Sequence, residues 1–180
     1  NEIEDGAILR IIAQRAGLGK YTPESNEVFF YIETERLNQN SYTLNKGGYN
    51  LGFAEKVMIY PNQFSGLKTL NSLPYVMASK ELKESKFDEL VLLNDSGFLV
   101  EGCSSNLFLA KGKKIVTPGL NHGCISGVMR RVAINKLIQM GFQVEQSDVV
   151  PSDLEEADEI FFTNSVQGVA WVSSYAKKRY

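Results

Sequence analysis

The stretch Gly66-Leu67-Lys68-Thr69-Leu70-Asn71-Ser72-Leu73 precedes a helix predicted over residues 74–85, and the rest of the chain is organised around it. A lysine at the point where an extended segment gives way to a helix can be held with its amine in a cleft. Apolar neighbours can then lower the pKa of that amine, so Lys68 would be able to capture a carbonyl group. Taken alone, a lysine is more often a solvated surface charge, and the chain has 19 Lys and Arg residues.

Composition excludes several classes of protein. The chain has 180 residues, is 43% hydrophobic and carries a net charge of −2. That length supports a substantial core and about one to two domains. Because no basic stripe offsets the acidic residues, we expect no nucleic-acid partner and no membrane-surface binding. No apolar run approaches the roughly 20 residues that span a bilayer, so the sequence predicts a soluble globular protein.

The cysteines, the histidine and the first residues predict a cytoplasmic protein without a metal site. Cys103 and Cys124 show neither metal-ligand spacing nor a disulfide framework, and both are predicted to be small buried hydrophobes. His122 is the one histidine and has no acidic neighbour in sequence, so it is predicted to lie on the surface. Residues 1–5 are acidic where a signal peptide needs a basic region.

The opening third of the chain reads as two strands. Residues 8–14 and 28–36 are rich in β-branched and aromatic side chains, and the loop over residues 15–23 contains two glycines and a proline. Lys20, next to Tyr21 at the tip of this loop, could pair with a substrate carboxylate. The residues alone favour a solvated loop charge.

A polar, glycine-containing segment divides the chain into two parts. We predict that residues 38–48 are a linker. Residues 1–37 would then belong to an amino-terminal domain, and residues 49–180 would form a second domain.

The second part alternates strands and helices. Strands are predicted at residues 51–60, 89–93, 98–101, 107–110, 114–117, 142–149, 159–163 and 169–173, and helices at 74–85, 126–141 and 151–157. Tight turns at 94–97 and 111–113 indicate antiparallel pairing. The helix over residues 126–141 would have Ser126 as its N-cap and Gly141 as its terminator. One face of the helix over residues 74–85 should pack on a sheet, and that face contains Tyr75, Val76, Ala78 and Leu82.

Three further features come after Lys68. Glu101 ends an apolar run, so it needs a partner such as a protonated cofactor nitrogen, unless it faces solvent on an edge strand. Gly127 lies in the first turn of a predicted helix, where free amides and the helix dipole favour a phosphate. Residues 163–165 form a polar turn that could contact the same anion. The last two features are by themselves an ordinary helix end and an ordinary turn.

In order and spacing, these segments resemble the fold-type IV pyridoxal-phosphate enzymes, a group of branched-chain aminotransferases, D-amino acid aminotransferases and aminodeoxychorismate lyases. The segments that carry the resemblance are residues 68–71, 88–92, 101–108, 117–118, 127–130 and 157–164. The resemblance implies an α+β fold of two α/β domains, with the amino-terminal one incomplete in this chain. It also implies a homodimer that binds pyridoxal 5′-phosphate and a small amino substrate. On this resemblance residues 49–180 are the cofactor-binding domain, and the chain starts part-way through a longer protein.

The resemblance assigns roles to individual residues. Lys68 would be the Schiff-base lysine and the proton-transfer base, and Glu101 would hold the pyridine nitrogen. The phosphate would be held by the helix start after Gly127, through the amides of Val128 and Met129, and by Asn164 and Ser165. The substrate would be bound by Lys20, Tyr21 and Asn71.

Two details favour a lyase among these enzymes. Residues 163–172 look more like aminodeoxychorismate lyases than like transaminases, and Leu73 stands near where some aminotransferases place a tyrosine. We therefore expect release of pyruvate from 4-amino-4-deoxychorismate to give 4-aminobenzoate, a step towards folate. An aminotransferase of branched-chain or D-amino acids is the first alternative. A non-catalytic protein that retains the fold is the second.

Overall fold

The computed structural model describes residues 6–37 and 40–180. The chain splits into two compact units, Asn1–Tyr42 and Thr43–Tyr180. This division falls inside the range 38–48, and the role of that range as a linker stays a prediction. Residues 38 and 39 of the range, and the acidic residues 1–5, lie outside the described residues.

The first unit contains a hairpin, β1 (Ala7–Arg15) and β2 (Val28–Arg36). The strands are antiparallel, in a register that runs from Ala7 opposite Arg36 to Arg15 opposite Val28. Both predicted strands are confirmed. The loop between them carries Lys20 and Tyr21, and both side chains are exposed.

The elements of the second unit are β3 (Tyr49–Ile59), α1 (Leu73–Glu84), β4 (Glu89–Asn94), β5 (Leu99–Gly102), β6 (Asn106–Lys111), β7 (Lys114–Pro118), α2 (Val128–Gln139), β8 (Gln143–Ser147), α3 (Pro151–Glu156), β9 (Glu159–Asn164), β10 (Gly168–Tyr175) and β11 (Lys178–Arg179). The strands form a mixed nine-stranded sheet of order β5-β4-β3-β10-β9-β6-β7-β8, with β11 paired to β10. The predicted antiparallel hairpins β4–β5 and β6–β7 are confirmed. Three pairs are parallel, namely β3–β4, β3–β10 and β7–β8. The α+β prediction is confirmed.

Both faces of the sheet are covered around β4 and β5. Val91 and Leu99 belong to one buried cluster, which also includes Leu154 of α3. Their chain neighbours Leu92 and Val100 belong to a second cluster, which includes Ala78 of α1. Because successive strand side chains point to opposite faces, the two clusters lie on opposite sides of these strands. This explains why the strands read as continuous apolar runs.

Helix α1 packs through residues spaced three and four apart. Ala78 is buried, and Tyr75 and Leu82 pack against the same cluster. The assignment of Val76 to this face was wrong, because Val76 is 58% exposed. One residue along a helix is a rotation of about 100°, which turns Val76 away from the sheet.

Helix α2 begins one residue later than predicted. Its N-cap is Gly127 and not Ser126, because the backbone is still extended at Gly127, with φ of −64° and ψ of 142°. The predicted terminator is confirmed, since Gly141 follows the C-cap Met140 with φ of +87°. Only glycine adopts that conformation at little cost.

His122 was wrongly predicted to lie on the surface, since it is 6% exposed. Its ring packs against Phe98 with centroids 4.6 Å apart. Nε2 lies 2.7 Å from a carboxylate oxygen of Asp148, and Nδ1 lies 3.3 Å from the Asn94 amide nitrogen. These partners are distant in sequence, so local composition did not reveal them.

None of the helices within residues 6–37 and 40–180 combines the length and apolar character that a bilayer crossing requires.

The segment before β3 is fastened to β10 by Asn45. Its side-chain amide donates to the Trp171 carbonyl at 2.9 Å and accepts from the Trp171 amide at 2.9 Å. The Asn45 carbonyl accepts from the indole nitrogen at 2.7 Å. The Asn45 side chain therefore pairs with both the amide and the carbonyl group of Trp171.

We predict that Asn45→Ala lowers the free energy of unfolding by about 1–3 kcal/mol, because it leaves part-buried backbone groups unpaired. Urea denaturation measures the change. The matched control is Asn135→Ala on the exposed surface of α2, which should change stability by less than about 0.5 kcal/mol. Equal stabilities for the two variants would contradict the assigned role of Asn45.

Candidate active site

Glu101 is the centre of the site. It lies on β5 opposite Leu92 of β4 and is 2% exposed. One carboxylate oxygen, Oε1, accepts from the Tyr75 hydroxyl at 2.6 Å and from the Ile125 amide at 3.0 Å. The other, Oε2, accepts from the side-chain amide of Asn106 at 2.8 Å. The alternative that Glu101 faces solvent on an edge strand is therefore wrong.

Opposing influences set the proton affinity of Glu101. Burial raises its pKa from 4.5 to about 7, against the hydrogen bonds from Tyr75 and Ile125 and the positive charges of Lys68 and Arg130. Burial also raises the pKa of Tyr75, and the negative charge of Glu101 raises it further. The tyrosine therefore stays a hydrogen-bond donor while the carboxyl group can change its charge near neutral pH.

Lys68 acts on the same carboxylate. Its side chain is exposed, and its charge is one of the two that favour ionised Glu101. The segment that carries it is tied to the helix start of α2, because the Gly66 carbonyl accepts from the Ser126 amide at 2.9 Å. The positive charge of Lys68 thus lowers the pKa of Glu101, although the two residues are 33 positions apart in sequence.

A short segment, residues 125–127, joins the parts of the site. The Ile125 amide donates to Glu101. The Ile125 carbonyl accepts from the Asn106 side chain at 2.9 Å and from the Gly127 amide at 2.8 Å. Helix α2 starts directly afterwards, and no side chain caps it. The first amides of a helix have no partner within the helix, so those of Val128 and Met129 could hold an anion.

Gly127 is required by its close approach to Asn106. A Cβ atom at residue 127 would lie 2.1 Å from the Asn106 side-chain oxygen, well inside van der Waals contact. Asn106 bridges Glu101 and the Ile125 carbonyl. Sequence reasoning missed this role, because the partners of Asn106 are 5 and 19 residues away in the chain.

Two buried polar atoms near this region have no hydrogen-bond partner within the described ranges. One is Oγ1 of Thr163, which is 1% exposed and stands on β9 opposite Asn106 of β6. The other is Nε of Arg130, in the first turn of α2. The Arg130 guanidinium donates to the Pro118 carbonyl at 2.9 Å and to Gln146 at 3.0 Å. The sequence did not indicate that either residue would carry a buried polar atom without a partner.

The turn after β9 uses the side chain of Asn164 for its own closure. The Asn164 oxygen accepts from the amides of Val166 and Gln167 at 2.9 and 2.7 Å. Ser165 is exposed. A contact of this turn with a phosphate stays a prediction.

The predicted substrate contacts lie in different units. Asn71 is exposed in the second unit, between Lys68 and α1. Lys20 and Tyr21 belong to the first unit. Their roles in binding a substrate stay predictions.

These residues fit the cofactor that the family resemblance implies. A carboxylate offers about four acceptor positions, and protein donors in the described ranges use three of those of Glu101. One position on Oε2 could therefore accept from a protonated ring nitrogen. The uncapped start of α2 could hold a phosphate, and Lys68 could supply the amine.

We predict that Gly127→Ala displaces Asn106 and lowers the free energy of unfolding by roughly 1–3 kcal/mol, because neither the backbone nor the bridging amide can yield freely. Thermal unfolding measures the change. Gly47→Ala is the matched control, since its Cβ would meet no atom within 4 Å. A Gly127→Ala variant as stable as the control would show that the close approach is unimportant.

Glu101 should make stability fall as pH rises. Its folded pKa is raised, so between pH 4.5 and about 7 the folded protein holds a proton that the unfolded chain has released. This contribution is full below pH 4.5 and is lost as the pH approaches 7. The difference in unfolding free energy between parent and Glu101→Gln should decrease by up to about 3 kcal/mol over that range. Denaturation at a series of pH values measures it, and parallel curves would contradict the assignment.

Comparison with known proteins identifies the family of the chain. The sequence profile of a family described as amino-transferase class IV matches residues 1–175. The chain is 36% identical over 126 residues to an aminodeoxychorismate lyase of Vibrio harveyi, an overlap of 70% of this chain and 46% of that protein. It is 31% identical over 145 residues to branched-chain-amino-acid aminotransferase 1, mitochondrial, of Arabidopsis thaliana, an overlap of 78% of this chain and 38% of that protein.

The fold is also similar to a solved structure. A branched-chain aminotransferase from Thermobaculum terrenum in its PLP-form superposes with a TM-score of 0.82 at 19% identity, covering 96% of this chain and 57% of that one. The chain spans less than half the length of the two relatives named above. Class IV enzymes use pyridoxal 5′-phosphate as their cofactor. With a profile match over nearly its whole length and the same fold, the chain belongs to the class IV aminotransferase family.

Proposed function

We propose that this chain is part of a pyridoxal-phosphate-dependent lyase that releases pyruvate from 4-amino-4-deoxychorismate and leaves 4-aminobenzoate, a step towards folate. The observation that carries the cofactor assignment is the buried Glu101 carboxylate, on which the charge of Lys68 acts. The preference for the lyase is supported by the likeness to the Vibrio harveyi enzyme and by Leu73 near the position of an aminotransferase tyrosine.

In this proposal each side chain has a distinct task. The Lys68 amine would bind the cofactor, and it would also move a proton at the substrate carbon. Glu101 keeps a proton on the ring nitrogen, and the amides of Val128 and Met129 bind the phosphate together with Asn164 and Ser165. The bound cofactor supplies an electron sink. Lys68 would remove the substrate ring proton and return a proton to the methylene carbon of the enolpyruvyl group. The bond between the ring carbon and the ether oxygen breaks, which leaves an aromatic ring and pyruvate without an external oxidant.

Substrate contacts complete the proposal. Asn71 lies three residues after Lys68, ahead of α1, and is proposed to bind the substrate near its reacting carbon. Lys20 is proposed to pair with a substrate carboxylate, and Tyr21 to contact the same molecule. Their exposed position in the loop between β1 and β2 leaves both side chains accessible.

An aminotransferase of branched-chain or D-amino acids is the second candidate. The likeness to the Arabidopsis thaliana enzyme supports it. Such an enzyme would convert the cofactor to its amine form with an amino donor and would need a keto acid to restore it. The lyase needs no keto acid.

We predict that borohydride reduction in the presence of pyridoxal phosphate bleaches the visible absorption band and fixes the cofactor on Lys68. Peptide mass spectrometry locates the label. Lys68→Ala should lose the band and the label, whereas Lys80→Ala, on the exposed surface of α1, should retain both. A label on Lys68→Ala equal to that of the parent would leave only a non-catalytic protein with this fold.

Incubation with substrates separates the two enzymes. With 4-amino-4-deoxychorismate and no keto acid, the lyase should release pyruvate and 4-aminobenzoate in equal amounts. Spectra recorded with branched-chain and D-amino acids provide the comparison. Conversion of the cofactor to its amine form by one of these donors, without pyruvate release from aminodeoxychorismate, would replace the lyase by the aminotransferase.

A homodimer in the cytoplasm is proposed as the setting of this reaction. Apolar side chains are exposed along the approach to α1 and on α1 itself, including Leu67, Leu70 and Leu73. A partner subunit could cover them. The cytoplasmic location is supported by the two free, buried cysteines, which suit a reducing compartment.

A further inference from the structure

We propose that Tyr75 is a positioning residue of this site, whose hydroxyl keeps the Glu101 carboxylate ionised and turned so that Oε2 can accept from a protonated aromatic ring nitrogen. The inference rests on the proposed function, because that nitrogen belongs to the bound cofactor. It adds a residue outside the segments that carry the family resemblance.

The hydrogen bonds of the carboxylate support this role. Tyr75 and Ile125 both donate to Oε1, so the two acceptor positions of that oxygen are filled. Oε2 accepts from Asn106, and this is its one protein donor within the described ranges. Asn106 is itself held by the Ile125 carbonyl. The carboxylate is therefore fixed with its remaining acceptor position on Oε2.

The Tyr75 hydrogen bond is the strongest candidate to hold the charge. At 2.6 Å it is the shortest of the three, and short O–H···O⁻ bonds are roughly twice as strong as bonds between neutral groups. Tyr75 lies in the first turn of α1, next to Pro74 and one turn before the buried Ala78. Its ring also packs against the cluster around Ala78. A phenylalanine would keep that packing and remove only the hydroxyl.

The other titratable and charged groups around Glu101 come from three directions. Lys68 precedes α1, Arg130 lies in α2, and both favour ionised Glu101. Burial raises the pKa of the Cys124 thiol to about 12, so this neighbour is neutral at pH 7. Burial alone therefore opposes the charge of Glu101, and the hydrogen bonds from Tyr75 and Ile125 lower its pKa against that effect.

The test is a carboxyl titration of the cofactor-free protein by NMR, with glutamate labelled by ¹³C at its side-chain carboxyl carbon. The signal absent from Glu101→Gln identifies Glu101. In Tyr75→Phe its midpoint should rise by about one to two pH units, as expected for a lost hydrogen bond to a charged group. Tyr49→Phe is the matched control. It removes a hydroxyl that is hydrogen-bonded to neutral Gln167, and it should leave the midpoint unchanged. An unchanged midpoint in Tyr75→Phe would overturn the inference.

A second measurement follows Tyr75 in the parent protein and does not depend on the folding of Tyr75→Phe. With ¹³C at the ζ carbon of tyrosine, the Tyr75 signal should shift with the same midpoint as Glu101, and Glu101→Gln should abolish this shift. A Tyr75 signal that stays constant between pH 5 and 8 would also overturn the inference. Both titrations are made without cofactor. Failure of the protein to bind pyridoxal phosphate would therefore refute the proposed function, but it would not change the measured effect of Tyr75 on the pKa of Glu101.

Discussion

The arrangement of the second unit depends on the Glu101 carboxylate, which is almost completely buried. An unpaired charge at such a depth would cost several kcal/mol, so Glu101 has to be supplied with donors. The donors come from α1, from β6 and from the segment before α2. Each of these elements must therefore be in its final position before the carboxylate is satisfied. The site and the fold are stabilised by the same hydrogen bonds.

The sheet makes this arrangement possible by covering both of its faces. With α1 on one face of β4 and β5 and α3 on the other, a side chain on the α1 face lies in a water-poor layer. Burial there raises the pKa of Glu101, and the positive charges of Lys68 and Arg130 act against that rise. The resulting balance near neutral pH would suit the proposed role of Glu101, which is to share a proton with a ring nitrogen. A fully exposed carboxylate would remain ionised and would be screened by water.

The periodicity of apolar residues was sufficient to predict nearly every strand and helix of the second unit, and the tight turns predicted the antiparallel hairpins. The parallel pairs β3–β4, β3–β10 and β7–β8 join residues that are distant in sequence, and no local pattern indicates them. The same limit explains the errors at individual residues. Ser126 is a good capping residue by type, but the extended backbone continues through Gly127 and the helix begins only after it. His122 has no acidic neighbour in the chain, yet the fold brings Asp148 to its ring.

The site was partly predictable for the same reason. Lys68, Glu101 and Gly127 were candidates from the sequence, but their roles were assigned only by the resemblance of their segments to a known family. Tyr75 and Asn106 matter through hydrogen bonds to residues on other elements, so their roles became visible only in three dimensions. A crystal structure of the protein grown with pyridoxal phosphate tests the central claim most directly. We predict density continuous from the Lys68 Nζ atom to the cofactor, with the ring nitrogen about 2.6–3.2 Å from Glu101 Oε2. A cofactor bound to another lysine, or one whose ring nitrogen does not reach Glu101, would contradict the account.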